Sequence, residues 1–191
     1  MIYFIDNFLD KSLFDTTWGI LNNNTYVEHV TPGKSFWVQE ADPAFVQQVL
    51  SLLEKKENKK LHCILGFFRL STDVIDAEWR IHSDGIINGV QPQRAAVLYF
   101  SPTKFHNLHG TAFWSHHYYG KNQPDSIDAT EFDRLLLEDS GDLNKWNLDT
   151  VVGYNQNRII SYPANYFHSR YPNKSWDTGR QVFVMFYKEK E

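Results

Sequence analysis

Trp79-Arg80-Ile81-His82-Ser83-Asp84-Gly85 is the stretch on which the reading of this chain turns. His82 and Asp84 stand two apart, so on extended backbone their side chains project to the same face. A third ligand candidate, His168, lies far downstream in Asn165-Tyr166-Phe167-His168-Ser169-Arg170. Two imidazoles and one carboxylate can hold a non-haem Fe(II) ion on one side and leave three coordination positions open. The pair alone is a weak signal. With 8 histidines and 14 aspartates in 191 residues, roughly 0.6 His-x-Asp pairs arise by chance. A hydrogen-bonded surface pair is its commoner meaning, so the surroundings have to carry the assignment.

Composition narrows the field. The length of 191 residues fits one domain, divided as 1–60 (an N-terminal strand and helices) and 61–191 (a β core), and 42% hydrophobic content tells against disorder. The formal net charge is −4, and the one Lys-rich run, Lys55-Lys56-Glu57-Asn58-Lys59-Lys60, reads as a solvated helix end. A nucleic-acid partner is therefore disfavoured. A single cysteine, Cys63, cannot form an internal disulfide and suits a reducing compartment. The opening Met1-Ile2-Tyr3-Phe4-Ile5-Asp6 has neither the basic residues nor the apolar length of a signal peptide, and no run is long enough to span a membrane. The expectation is a soluble cytoplasmic protein with no membrane partner. The six tryptophans are read first as core packing and second as ligand stacking.

Periodicity separates a helical start from a β remainder. Residues 2–8 read as a short strand, and Asp10 can cap a helix reaching about Leu21. Asp42-Pro43 is a second helix start, with Asp as N-cap and Pro in the first turn. Phe45, Val46, Val49, Leu50, Leu52 and Leu53 then give one apolar face. From residue 61 short strand-like runs follow at 63–68, 95–100, 110–114, 158–162 and 180–187, separated by Gly, Pro and Asn clusters. The last run is apolar on both faces, as a central strand should be. Residues 116–150 interrupt the pattern. Asp128-Ala129-Thr130-Glu131 resembles a capping box and precedes Phe132, Leu135, Leu136 and Leu137 at helical spacing, so a helical insertion is predicted there.

In this order of segments the chain resembles the Fe(II)/2-oxoglutarate-dependent oxygenases, in particular their prolyl-hydroxylase-like branch, over residues 67–187. Arg80-Ile81-His82-Ser83-Asp84 looks like the first ligand strand. Val97-Leu98-Tyr99-Phe100 is similar to the strand with a cosubstrate tyrosine, and His109-Gly110-Thr111-Ala112-Phe113 to the Gly-rich strand. His168-Ser169-Arg170-Tyr171-Pro172 resembles the distal-histidine segment, and Arg180 opens the last strand. Gly110-Thr111-Ala112-Phe113-Trp114-Ser115-His116 and Asn157-Arg158-Ile159-Ile160-Ser161-Tyr162-Pro163 look closest to an uncharacterised sub-branch. The resemblance implies a mainly β fold, a double-stranded β-helix (a jelly-roll, cupin-like barrel) with supporting N-terminal helices and the insertion. It implies Fe(II) on His82, Asp84 and His168, with 2-oxoglutarate and O2 as cosubstrates. Arg180 would bind the distal carboxylate through a two-pronged, charge-assisted contact, and Tyr99 would donate its hydroxyl to that carboxylate. The activity implied is hydroxylation of an unidentified substrate, a small molecule or a peptide side chain, with release of succinate and CO2.

Each role has an ordinary counterpart. Arg180 could be a rim ion pair, although Val182, Val184 and Phe186 on its face argue for burial. Tyr99 could be a plain core tyrosine. Arg170, two residues past His168, competes for the anchor. The spacing from His168 to Arg180 is longer than the resemblance predicts, and the insertion has no counterpart in it. His106 with His109, and His116 with His117, are read as loop or cleft histidines ahead of a second metal site. Trp114, His116, Tyr118 and the insertion are expected to line the cleft, the insertion as a lid or wall. A non-catalytic jelly-roll binding module is the alternative from another class. A cupin-type metalloenzyme without 2-oxoglutarate would call for His-x-His where this chain has His-x-Asp.

Overall fold

Side-chain caps begin both N-terminal helices where the sequence places them. In this computed structural model, which describes all residues except 32–33, 77–78, 103–108, 126, 173–178 and 191, Asp10 accepts from the Leu13 amide at 2.9 Å. Asp42 accepts from the Ala44 amide at 2.7 Å. The elements run β1 (Tyr3–Ile5), α1 (Lys11–Asn23), β2 (Val27–Thr31), β3 (Lys34–Glu40), α2 (Pro43–Glu57), β4 (Leu61–Ser71), β5 (Arg94–Tyr99) and β6 (Gly110–His116). After them come α3 (Ala129–Arg134), a π-helical turn (Leu135–Asp139), a 3-10 turn (Leu143–Lys145), β7 (Trp146–Gly153), β8 (Ile159–Pro163), β9 (His168–Tyr171) and β10 (Arg180–Glu189).

The strands form two sheets, one ordered β1-β8-β5-β10-β4-β3-β2 and one ordered β7-β6-β9, and every pairing is antiparallel. Strand alternation divides the apolar residues between two sides of the large sheet. Ala96 and Leu98 of β5 with Phe183, Met185 and Tyr187 of β10 face out, where Phe14 and Leu21 of α1 and Phe45, Val49 and Leu53 of α2 cover them. Ala95, Val97 and Tyr99 with Val182 and Phe186 face in, against Phe113 of β6 and Val152 of β7 in the small sheet. A third cluster, Ile81, Trp114, Leu135, Trp146 and Phe167, lies on the small sheet's far side. The mainly β jelly-roll reading therefore holds, but the barrel is not closed. Among the described residues the sheets face each other, and an isolated bridge between His82 and His168 stands where a continuous ladder would close it.

Two expectations change in detail, and one element is new. His82 and Asp84 lie on irregular extended backbone and not in a ladder strand. The insertion is shorter than 116–150, because residues 146–150 already belong to β7, which returns antiparallel along β6. The β2–β3 hairpin, unread in the sequence, extends the large sheet past β4. Among the described residues no helix is long and apolar enough to cross a membrane.

Candidate metal centre and arginine-lined cavity

The ligand loop is held by its backbone. The His82 amide donates to the His168 carbonyl at 3.0 Å and the His168 amide to the His82 carbonyl at 2.7 Å. The Asp84 amide donates to Ala164 O at 2.8 Å and the Ile81 amide to Ser140 O at 3.1 Å. These bonds bring residues 86 apart in sequence (82 and 168) into direct register. Ligand atoms of His82, Asp84 and His168 all lie within 4.8 Å of one another.

Both imidazoles are oriented by the same device. His82 Nδ1 meets the Arg80 carbonyl at 3.2 Å, and His168 Nδ1 meets the Tyr166 carbonyl at 2.9 Å. A carbonyl oxygen only accepts, so Nδ1 carries the proton and the Nε2 lone pair is the coordinating one. This is the outer-shell arrangement that metal-binding histidines use. His168 Nε2 lies 3.9 Å from Asp84 Oδ2, a buried oxygen that accepts no hydrogen bond from any described residue. Burial pushes the Asp84 carboxyl up to about 7, with Arg69 pulling the other way. A buried carboxylate between two imidazole lone pairs is costly without a cation and suited to a divalent one. The three residues fit Fe(II).

They line a cavity of about 510 Å³, within the range of about 300–1,000 Å³ typical of small-molecule sites. Phe67, Val97, Tyr162, Val184 and Phe186 give it apolar walls, and Arg69, Arg80, Arg170 and Arg180 supply positive charge. Arg180 is buried and its guanidinium stands 5.7 Å over the Tyr99 ring. Burial holds it below the ordinary arginine range, with Tyr99 and Tyr154 opposing, yet a guanidinium remains a cation. Tyr99 itself is not among the residues that line the cavity. It is fully buried, stacked on Tyr154 at 4.2 Å, and its hydroxyl shares a hydrogen bond of 2.7 Å with Thr111 Oγ1, which does line it. Arg170 also lines the cavity and donates from Nη1 to the Asp76 carbonyl at 2.7 Å.

The expected cleft residues lie elsewhere. In β6, Thr111 faces the cavity, so Ala112 and Trp114 face the opposite side and join the far cluster. His116 shares their phase and is buried. Its Nδ1 accepts from the amides of Tyr118 and Tyr119 at 3.2 and 3.3 Å. The proton therefore sits on Nε2, which donates to Asp139 Oδ2 at 3.2 Å. This is a structural histidine, neither in a loop nor in the cleft. Tyr118 is exposed, and His117 Nε2 lies 3.4 Å from Asn147 Oδ1. His106 lies outside the described residues, and His109 is buried. Among the described residues the only cluster of metal-ligand type is His82, Asp84 and His168. The insertion contacts the ligand loop: Ser83 Oγ donates to Gln123 Oε1 at 2.8 Å, and the Gln123 amide to Asn165 O at 2.8 Å. Sequence reading missed Phe36, Val38 and Glu40 of β3, which line the cavity together with Gln39. Their i, i+2 alternation in Phe36-Trp37-Val38-Gln39-Glu40 was the signal available.

No family model matches the chain, and no curated protein does. Solved structures match its fold. HygX from Streptomyces hygroscopicus with nickel, 2-oxoglutarate and hygromycin B bound is 13% identical, with a TM-score of 0.63 over 99% of this chain and 83% of that one. The non-heme alpha ketoglutarate dependent epimerase SnoN from nogalamycin biosynthesis is 13% identical, with a TM-score of 0.59 over 98% and 78%. A Pseudomonas putida prolyl-4-hydroxylase is 12% identical, with a TM-score of 0.52 over 100% and 93%. The chain has the fold these enzymes share.

Proposed function

We propose that the chain is a non-haem Fe(II)- and 2-oxoglutarate-dependent oxygenase that hydroxylates a small molecule or a peptide side chain. The observation that carries this reading is one cavity lined both by the His82, Asp84 and His168 cluster and by buried Arg180. A ligand-binding module has no need for a metal triad and an anion anchor in the same cleft. The fold shared with HygX, whose structures hold 2-oxoglutarate with nickel, and with SnoN supports it. In the balanced reaction R–H, O2 and 2-oxoglutarate give R–OH, succinate and CO2.

Iron bound here would supply the oxidising chemistry, coupling decarboxylation of 2-oxoglutarate to oxidation of the substrate C–H bond. The chain's own residues bind and orient. His82, Asp84 and His168 hold the metal on one side. Arg180 pairs with the distal carboxylate of 2-oxoglutarate, a buried anion that requires a cation. Tyr99 completes that subsite from behind, beneath Arg180 and bonded to Thr111. Phe67, Val184 and Phe186 give the cavity an apolar wall, which favours exclusion of water.

The test is anaerobic titration of the Fe(II)-loaded protein with 2-oxoglutarate, read by the visible charge-transfer band of the chelate. Wild type should bind. Arg180→Ala should lose about 3–5 kcal/mol, an affinity weaker by roughly two to three orders of magnitude or somewhat more. Arg180→Lys should recover part, since the charge survives and the fork does not. A wild-type protein without the band would overturn the oxygenase reading in favour of a binding module.

A further inference from the structure

Among the described residues five hydroxyl side chains line the cavity: Ser71, Ser83, Thr111, Tyr162 and Ser169. Four of them are already bonded inside the protein. Ser71 Oγ donates to Asp76 Oδ2 at 2.9 Å, and Ser83 Oγ to Gln123 Oε1 at 2.8 Å. Ser169 Oγ donates to the Arg170 carbonyl at 2.9 Å, and Thr111 Oγ1 shares its bond with the Tyr99 hydroxyl. Tyr162 is the exception. It is 2% exposed, and its contacts are ring contacts with Phe113 and His168. Its hydroxyl bonds no described residue.

The ring itself is firmly placed. Tyr162 sits on β8 opposite Ala95 of β5, in the cluster on the inner side of the large sheet. Its ring meets Phe113 edge-on at 5.0 Å and the His168 imidazole at 4.7 Å. Burial pushes the hydroxyl well above the ordinary tyrosine range. Asp84 and then Tyr99 add to this, and Arg180 and Arg69 oppose it. The phenol therefore lies beside the metal cluster and within electrostatic reach of Arg180, the two points at which the cosubstrate of the proposed reaction is held. A neutral phenol there is a donor, and a buried donor without an acceptor is costly. The oxygens of 2-oxoglutarate only accept. Its keto-acid end is the end that a metal on His82, Asp84 and His168 would hold, next to the imidazole against which Tyr162 packs.

We propose that the Tyr162 hydroxyl donates a hydrogen bond to the keto-acid end of 2-oxoglutarate and so fixes how that end sits at the metal. The inference rests on the oxygenase reading. Tyr162→Phe deletes one oxygen and keeps the ring packing. The probes are 2-oxoglutarate and pyruvate, which has the same keto-acid end and no distal carboxylate. Each is titrated anaerobically into the Fe(II) protein and followed by the charge-transfer band. Tyr162→Phe should weaken both by about tenfold, roughly 1.4 kcal/mol. It should also move the band to shorter wavelength, because a donor at the keto acid lowers the acceptor orbital of that transition. Arg180→Ala should weaken 2-oxoglutarate and leave pyruvate as in wild type. Iron affinity before either acid is added, and the urea midpoint, should not fall in Tyr162→Phe, since the hydroxyl supports neither. Unchanged affinity with an unmoved band would overturn the proposal. So would a loss confined to 2-oxoglutarate, which puts the hydroxyl at the distal carboxylate. A fall in iron affinity or in the urea midpoint would overturn it too, placing the hydroxyl on Asp84 or in the core. If pyruvate gives no band in wild type, the position of the 2-oxoglutarate band decides alone. A wild-type protein that binds no 2-oxoglutarate removes the oxygenase reading and this inference with it, whereas wild-type binding with an unaltered Phe variant removes this inference only.

Discussion

His168 illustrates how much of a candidate metal site lies outside its ligand atoms. Its ring is turned by a carbonyl two residues earlier, its backbone pairs with His82, and Tyr162 packs against it at 4.7 Å. Since the backbone does most of the positioning, removing one ligand side chain should leave the fold intact. His82→Ala, Asp84→Ala and His168→Ala should each lose iron while keeping the wild-type circular dichroism spectrum. Wild-type iron content in all three would refute the assignment. That these three side chains cluster was legible in the sequence, because spacing and side-chain chemistry both pointed the same way. Tyr99 was legible only in part: alternation gives its face, but only the packing shows Thr111 between it and the cavity. Trp114 and His116 were misread because both faces of β6 are buried, five of its first five residues among them, so polarity gives no phase. Register alone settles it, with Thr111 opposite Arg170 and Phe113 opposite His168.

At the scale of elements, the β6–β7 connection acts as a buttress. Its interior pairs His116 with Asp139, and Asp139 O accepts from Trp146 Nε1 at 2.8 Å. Trp146 also packs edge-on against Phe167 at 4.9 Å, the residue before His168. The Asp128 cap was readable, and its carboxylate accepts from the Glu131 amide at 2.8 Å. Glu131 does not complete a capping box; it pairs with Arg134 at 2.8 Å. The start of β7 was not readable, because residues 147–150 are polar or exposed and only pairing with β6 makes them a strand. Trp146→Ala should therefore cost about 3–5 kcal/mol and also weaken iron binding, which denaturant melts and metal titration would report. Unchanged iron affinity in the folded variant would show the buttress to be separate from the site. Gly110→Ala tests the same sheet differently. A Cβ there would lie 2.1 Å from the Val152 carbonyl oxygen, so the β6–β7 ladder must part, and a variant with wild-type stability would contradict this packing.

Across the whole molecule, stability and chemistry occupy different layers. Helices α1 and α2 cover one side of the large sheet, and the cavity opens on its other side. The helical layer was the most legible part of the fold, since Asp42-Pro43 and the spacing from Phe45 to Leu53 specify start, length and buried face together. The open sandwich was less so, because whether two sheets close depends on pairings between distant residues that no local pattern encodes. This separation has a measurable consequence. Leu53 on α2 is fully buried in the outer cluster, with the large sheet between it and the candidate metal ligands. Leu53→Ala removes packing atoms and leaves a cavity, at a cost of about 2–5 kcal/mol. In urea the unfolding midpoint should fall while the slope stays at its wild-type value. Below that transition the variant should bind iron and 2-oxoglutarate as wild type does. Arg180→Ala should give the reverse pattern, with little change in midpoint and a large loss of 2-oxoglutarate affinity. If Leu53→Ala lost iron under native conditions, the two faces of the sheet would be energetically coupled, and the helices would have to be counted as part of the site.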